Sequence, residues 1–107
     1  MYNINGVIVA NEKIRHLRYE PLRRRLNEIP YWPHRYLHKV IGKSGELFEK
    51  SIADLEVKFP NMKRTQFGKS RNGTYISITF ELQADHVDEI ISLWLASEEI
   101  EDCVKIL

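Results

Sequence analysis

Two Gly-Lys-Ser tripeptides, at residues 42–44 and 68–70, are the residues that most directly suggest chemistry. Such a tripeptide ends the loop with which P-loop proteins bind nucleotide phosphates, but that loop also requires a glycine five residues earlier. Leu37 and Lys63 occupy those two positions. The spacing therefore argues against nucleotide hydrolysis, and we expect Ser44 to cap a helix instead.

The histidines and the cysteine do not form a catalytic or metal-binding pattern. His34 and His38 are four residues apart, a spacing that suits zinc only on a helix, and we predict a strand there. Cys103 is the single cysteine, so no internal disulfide can form. We therefore expect a protein that is not an enzyme, with no catalytic residues, no metal and no cofactor.

A different phosphate-binding chemistry is suggested by residues 40–45, which resemble the K-homology RNA-binding motif. There a Gly-x-x-Gly loop clamps the backbone phosphates of single-stranded RNA. The alternative function is therefore RNA binding through Gly42, Lys43, Ser44 and Gly45, helped by the basic residues Arg23, Arg24 and Arg25. The K-homology family places a helix before this loop, whereas Pro33 and the alternation of residues 35–41 favour a strand here.

Composition limits the class of protein. The chain has 107 residues, of which 43% are hydrophobic and 29% charged, and these values are typical of one globular domain. No apolar run approaches the roughly 20 residues that cross a bilayer, and no signal peptide is recognisable. We expect a cytoplasmic protein without membrane contact. The formal net charge of +1 does not favour nucleic acid as a partner.

The proline-rich stretch around Pro30 and Pro33 predicts a boundary between two parts of the chain. We expect residues 1–34 to be a basic N-terminal extension. It would contain a short strand at residues 7–10 and a helix that starts near Pro21 and exposes the arginine run. Residues 35–107 would form the main domain.

Apolar periodicity predicts the elements of that domain. Alternating residues predict strands at about 36–41, 63–67, 74–82 and 102–107. Helical spacing predicts one helix after Ser44 and another capped by Asp85. The apolar stripe expected on the first helix consists of Leu47, Phe48, Ile52, Leu55 and Phe59; the stripe on the second consists of Val87, Ile90, Ile91, Trp94 and Leu95.

This order predicts an α+β fold of the ferredoxin-like βαββαβ type, a sandwich with two helices on one face of a four-stranded antiparallel sheet. The first and third strands would be central. The opposite face would be open, and its side chains are neither all polar nor all apolar, which suits a partner surface. We predict that Lys39, Tyr75, Ser77 and Thr79 line the surface that binds a ligand or partner.

Residues 36–107 resemble the YbeD-like family of small bacterial proteins of unknown function. The segments that carry this resemblance are Tyr36, Lys39–Gly42, Gly73–Tyr75, Ser77–Thr79, Ala84–Val87 and Val104–Leu107. The resemblance implies a ferredoxin-like fold, similar to the ACT regulatory domains that bind small ligands. It implies no catalytic residues.

The predicted function is therefore that of a non-enzymatic regulatory or protein-interaction domain. It would act through its open sheet face or through an edge strand. The expected partner is another protein or a second copy of the chain, and a small molecule is a further ligand class that this face can take.

Overall fold

The computed structural model describes residues 14–107. The predicted strand at residues 7–10 lies outside this range. The chain divides into two compact units, residues 1–31 and 32–107. Among the described residues, no helix is long and apolar enough to cross a membrane.

In the first unit, helix α1 spans Glu20–Asn27 and has Pro21 in its first turn, where a missing N–H is tolerated. Glu20 lies near its N-terminus, and Arg24 and Arg25 lie in its last turn, so both ends complement the helix dipole. Leu26 is buried, whereas Arg24 and Arg25 are exposed, as the sequence predicted. Arg23 approaches Glu20 at 3.9 Å.

The second unit contains four strands and two helices. They follow in the order β1 (His34–Lys43), α2 (Glu46–Lys58), β2 (Met62–Lys69), β3 (Tyr75–Ala84), α3 (Val87–Ser97) and β4 (Cys103–Ile106). The sheet order is β2-β3-β1-β4, and each neighbouring pair is antiparallel. The predicted α+β class and the four-stranded antiparallel sheet are therefore confirmed.

Both α2 and α3 pack on the same face of the sheet. The ring of Phe48 in α2 covers Gly42, whereas His38 bonds to Ser97 in α3. His38 and Gly42 alternate along β1 with residues of the open face. On β3 the buried residues are those that alternation predicted: Ile76, Ile78, Phe80 and Leu82.

Several local predictions were wrong at the helix ends. α2 begins after Gly45, not Ser44, because Gly45 has φ of +154°, a conformation that side chains larger than hydrogen disfavour. His86, not Asp85, precedes α3, and the Glu89 carboxylate accepts backbone N–H bonds from both. Leu47 is 54% exposed and does not belong to the core.

Candidate functional site

The open face of the sheet carries the four residues predicted as a binding surface. Three of them, Lys39, Tyr75 and Ser77, line one hollow of about 300 Å³ near the β2–β3 hairpin. Thr79 is the cross-strand partner of Lys39 and lies on the same face, outside the lining of the hollow. The strand alternation that predicted these residues thus placed three of them together.

The hollow also contains residues that the sequence analysis missed. Its other lining residues are Ile41, Gly68, Lys69, Ser70 and Ile76. Lys69 pairs with the buried Ile76, so its side chain points to the helical side of the sheet, and no carboxylate is among the lining residues. The missing signal was the cross-strand register, which pairs Gly68 with Ser77 and only emerges when β2 and β3 meet.

Basic residues dominate the rest of this face. The register assigns to it Arg35, Lys39, Lys43, Lys63 and Lys105, with Glu81 as the one carboxylate among residues 34–106. Glu81 lies 3.4 Å from Arg35 and 3.9 Å from Lys63, so its charge is already compensated. The face therefore carries a positive field, although the whole chain has a net charge of only +1.

The four residues of the predicted RNA-binding loop are divided between a strand and the connection that follows it. Gly42 and Lys43 belong to β1, and Gly42 is buried under Phe48. Ser44 and Gly45 connect β1 to α2, and the Ser44 N–H donates to the carbonyl of Thr74 at 2.9 Å. Arg23, Arg24 and Arg25 lie in the other compact unit. RNA binding through these residues stays a prediction.

A second hollow, of about 320 Å³, lies where α2 ends and α3 begins. Lys58, His86, Asp88 and Glu89 are among its lining residues, so charges of both signs meet there. The Glu89 carboxylate is engaged in capping α3 through the N–H groups of residues 85 and 86. This hollow is therefore explained in part by helix capping, and the open face is the stronger candidate.

A buried polar cluster lies between β1 and α3. The Ser97 hydroxyl donates to the carbonyl of Leu93 at 2.7 Å, so the His38 Nε2–H must donate to Ser97 Oγ, at 2.9 Å. His38 Nδ1 is therefore the unprotonated nitrogen, and it has no partner within the described residues. Burial lowers the pKa of His38 to about 4, which keeps the ring neutral.

The indole of Trp94 completes this cluster. Its ring packs edge-on against the His38 ring, with 5.0 Å between the ring centroids. Its Nε1–H donates a hydrogen bond to the Tyr36 hydroxyl oxygen at 2.8 Å. Replacing Tyr36 with Phe removes this acceptor, so we expect unfolding free energy to fall by about 1 kcal/mol. Urea denaturation measures this loss. Tyr75→Phe, which changes the ring on the open face, serves as the control and should alter stability by less than about 0.5 kcal/mol.

The thiol of Cys103 is half-buried in β4. Burial raises its pKa, and the thiol donates weakly to the carbonyl of Lys105 at 3.7 Å. A raised pKa leaves less of the nucleophilic thiolate at neutral pH. The geometry therefore gives this cysteine the character of a small apolar residue.

A comparison with known protein families identifies the chain. The family model described as "Protein of unknown function (DUF493)", the YbeD family, matches residues 28–107. The chain belongs to this family. The match includes all four strands with α2 and α3, and it confirms the resemblance predicted from the sequence. The comparisons with curated proteins and with solved structures gave no match.

Proposed function

We propose that this member of the DUF493 family is a non-enzymatic regulatory domain that binds a protein partner with an acidic surface on its open sheet face. We also assign it the ferredoxin-like, ACT-like architecture predicted from the sequence. The alternation of strands and helices and the sheet order β2-β3-β1-β4 support that architecture. The observation that supports this function is that basic side chains lie mostly on the open face of the sheet, whereas acidic side chains lie mostly on the helical side.

The helical side of the sheet has the opposite charge to the open face. Acidic side chains predominate in and beside the helices: Glu46, Glu49, Asp54, Glu56, Asp85, Asp88, Glu89, Glu98, Glu99, Glu101 and Asp102. The basic side chains of the strands mostly face the other way, and Arg64, which points to the helices, pairs with Glu56 at 2.8 Å. Such separation steers an acidic partner toward the open face.

The open face also offers apolar area within its ring of charge. Leu37 is 56% exposed, Tyr75 is 40% exposed, and Ile41 is half-buried. Exposed apolar side chains flanked by charged ones are typical of interfaces that form and dissociate. A symmetric dimer burying this face would bring lysines against lysines, which is unfavourable. A separate acidic partner therefore fits better than a second copy.

An RNA partner fits this face less well than an acidic protein. Base recognition on a sheet surface relies on several aromatic rings that stack on bases. Tyr75 is the one aromatic side chain that the register places on this face, within residues 34–106. Phe67, although 62% exposed, pairs with Ile78 and so lies on the helical side.

Titration with a synthetic peptide rich in glutamate and leucine tests this proposal. We expect saturable NMR shifts of open-face amides and an affinity that falls as salt rises. Lys39→Glu should weaken binding about tenfold, because a like charge replaces an attractive one. Lys50→Glu, an equal charge change on the exposed side of α2, should weaken it by less than about twofold.

Three results would contradict the proposal. The first is the absence of saturable shifts on the open face. The second is tighter binding of a single-stranded RNA oligonucleotide than of the peptide under the same salt conditions. The third is a dimer in light scattering that Tyr75→Glu dissociates, since this would assign the open face to self-association.

A further inference from the structure

The side of β1 that faces β4 is paired over only part of its length. β1 has 10 residues, whereas β4 has 4. Their pairing extends from Gly42 to Lys39, where the Lys39 N–H donates to the Leu107 carbonyl at 3.2 Å and the Leu107 N–H donates to the Lys39 carbonyl at 2.8 Å. Within the described part of the chain, no strand pairs with this side of β1 at Arg35 or Leu37.

The backbone groups of these two residues form what we call the outer β1 edge. Neighbouring residues of a strand direct their N–H and C=O groups to opposite sides, so Arg35 and Leu37 point the same way as Lys39, away from β3. Tyr36 and His38 are directed to β3 instead. Among the described residues, neither β4 nor any turn supplies a backbone partner for Arg35 or Leu37. The outer β1 edge can therefore accept a further strand.

The side chains around this edge define the chemistry that an added strand needs. Leu37 and Leu107 are both exposed and both belong to the open face. Arg35 and Lys39 lie on either side of Leu37 on that face. Glu81 is close to Arg35, whereas no ion pair engages Lys39 among the described residues. Leucine and carboxylate side chains on one face of the added strand would match this surface.

We propose that the acidic partner binds by adding an extended segment to the outer β1 edge, antiparallel to β1 and in line with β4. This inference rests on the proposed function, because it specifies how the partner attaches to the open face. The N–H and C=O groups of Arg35 and Leu37 would bond to the backbone of the segment. An apolar residue would lie opposite Leu37 and an acidic residue opposite Arg35, so backbone bonds supply affinity and side chains supply specificity.

A peptide in which leucine and glutamate alternate with serine tests this arrangement on the full chain. NMR measures the exchange of each backbone amide with solvent. In the protein alone, the amides of Arg35 and Leu37 should exchange faster than those of Tyr36 and His38, which lie on the β3 side. At a peptide concentration of about ten times the Kd, exchange at Arg35 and Leu37 should slow by about tenfold.

Methylation of the peptide backbone separates strand addition from side-chain contact. In the proposed antiparallel pair, the leucines and glutamates that face the open side direct their N–H groups to β1, whereas the serine N–H groups point away. N-methylation of the leucines and glutamates should therefore weaken binding by about tenfold or more. N-methylation of the serines, the matched control, should weaken it by less than about threefold.

Leu37→Pro and Leu37→Ala form a matched pair in the protein. Both remove the leucine side chain, but only proline removes the outward N–H, and it removes no hydrogen bond to β3. Leu37→Pro should bind the peptide at least about threefold more weakly than Leu37→Ala. The methylated peptides use the unaltered protein, so they decide the test even where Leu37→Pro does not fold.

Three results would overturn strand addition while leaving the acidic partner in place. The first is saturable shifts on the open face with unchanged exchange at Arg35 and Leu37. The second is equal affinity of the two methylated peptides. The third is slow exchange of both amides in the protein alone that does not depend on protein concentration, because the edge would then be occupied already.

Other results bear on the partner. Equal protection of Arg35 and Leu37 by a peptide with glutamine in place of glutamate would retain strand addition and reject the acidic partner. Protection that increases with protein concentration in the absence of peptide would assign the outer β1 edge to a second copy and overturn the inference. A peptide that does not bind at all would reject both the inference and the proposed function.

Discussion

Gly42→Ala should destabilise this domain by about 3 kcal/mol, at the upper end of the range for forcing extra volume into a packed core. A Cβ at position 42 would lie 2.2 Å from one ring atom of Phe48 and 2.3 Å from another. Phe48 is fully buried and Gly42 is buried, so neither can move without disturbing the contact of α2 with β1. Chemical denaturation measures the loss.

A double mutant shows whether the ring of Phe48 is the cause. Phe48→Leu removes the ring, so it should relieve part of the overlap that Gly42→Ala creates. We expect the double variant to be at least about 1 kcal/mol more stable than the sum of the two single effects predicts. Gly68→Ala is the matched comparison, since it meets a single half-buried hydroxyl and should change stability by less than about 1 kcal/mol.

Additive effects, or a fully stable Gly42→Ala protein, would show that α2 does not pack on β1 as described. The test also bears on the glycine's assignment to a phosphate-clamping loop. A loop glycine could be replaced with little loss of stability, whereas the glycine under Phe48 cannot. Stability and RNA binding are therefore to be measured on the same variant.

The strands of this fold were predictable because each carries its own periodic signal. Alternation on β3 predicted the positions of Tyr75 and Ser77 on the open face. It also predicted the buried side chains of this strand, which are Ile76, Ile78, Phe80 and Leu82. β1 extends further than its apolar residues indicated, to His34 and Lys43, because backbone pairing with β3 continues to both ends. Alternation in the sequence predicts which face of the sheet a residue occupies. The length of a strand depends on how far its neighbour continues to pair with it, which alternation does not show.

The features that the sequence did not reveal all depend on contacts between distant residues. Tyr36 and Trp94 are separated by 58 positions, and His38 and Ser97 by 59, so no local pattern could pair them. Gly68 lies beside Ser77 in the hollow only because β2 pairs with β3. The separation of acidic and basic side chains between the two sides of the sheet was not predicted for the same reason. Acidic and basic residues cancel in the net charge of the chain, and they come to lie on opposite sides only when the sheet forms.

Leu47 illustrates a limit of helical periodicity. It lies two residues after Gly45, which caps α2, and directly before Phe48, and both apolar residues were predicted to begin the same stripe. Phe48 takes the inward position because Gly42 leaves room for its ring, and Leu47 is then rotated away from the sheet. Which of these two adjacent apolar residues is buried therefore depends on Gly42, a glycine in β1.

Acidification should destabilise the protein through His38 by about 3 kcal/mol between pH 7.5 and pH 4, the amount that a pKa lowered from 6.5 to about 4 implies. The unfolded chain binds a proton to this histidine as the pH falls below 6.5, whereas the folded protein resists protonation until about pH 4. The contribution of His38 to the free energy of unfolding is therefore fully present above pH 6.5 and is lost as the pH falls to about 4. Urea denaturation at a series of pH values measures the slope.

His38→Leu isolates this contribution from the titration of the many carboxylates. Leucine cannot be protonated, and Ser97 keeps its hydrogen bond to Leu93, so the variant should differ little from the parent at pH 7.5. At pH 4 the variant should be the more stable protein, by roughly the 3 kcal/mol that the parent has lost. His86→Gln, which replaces an exposed histidine, should retain the pH dependence of the parent. If His38→Leu and the parent lose stability in parallel, His38 is not buried in its neutral form, and the packing of α3 on β1 would need to be revised.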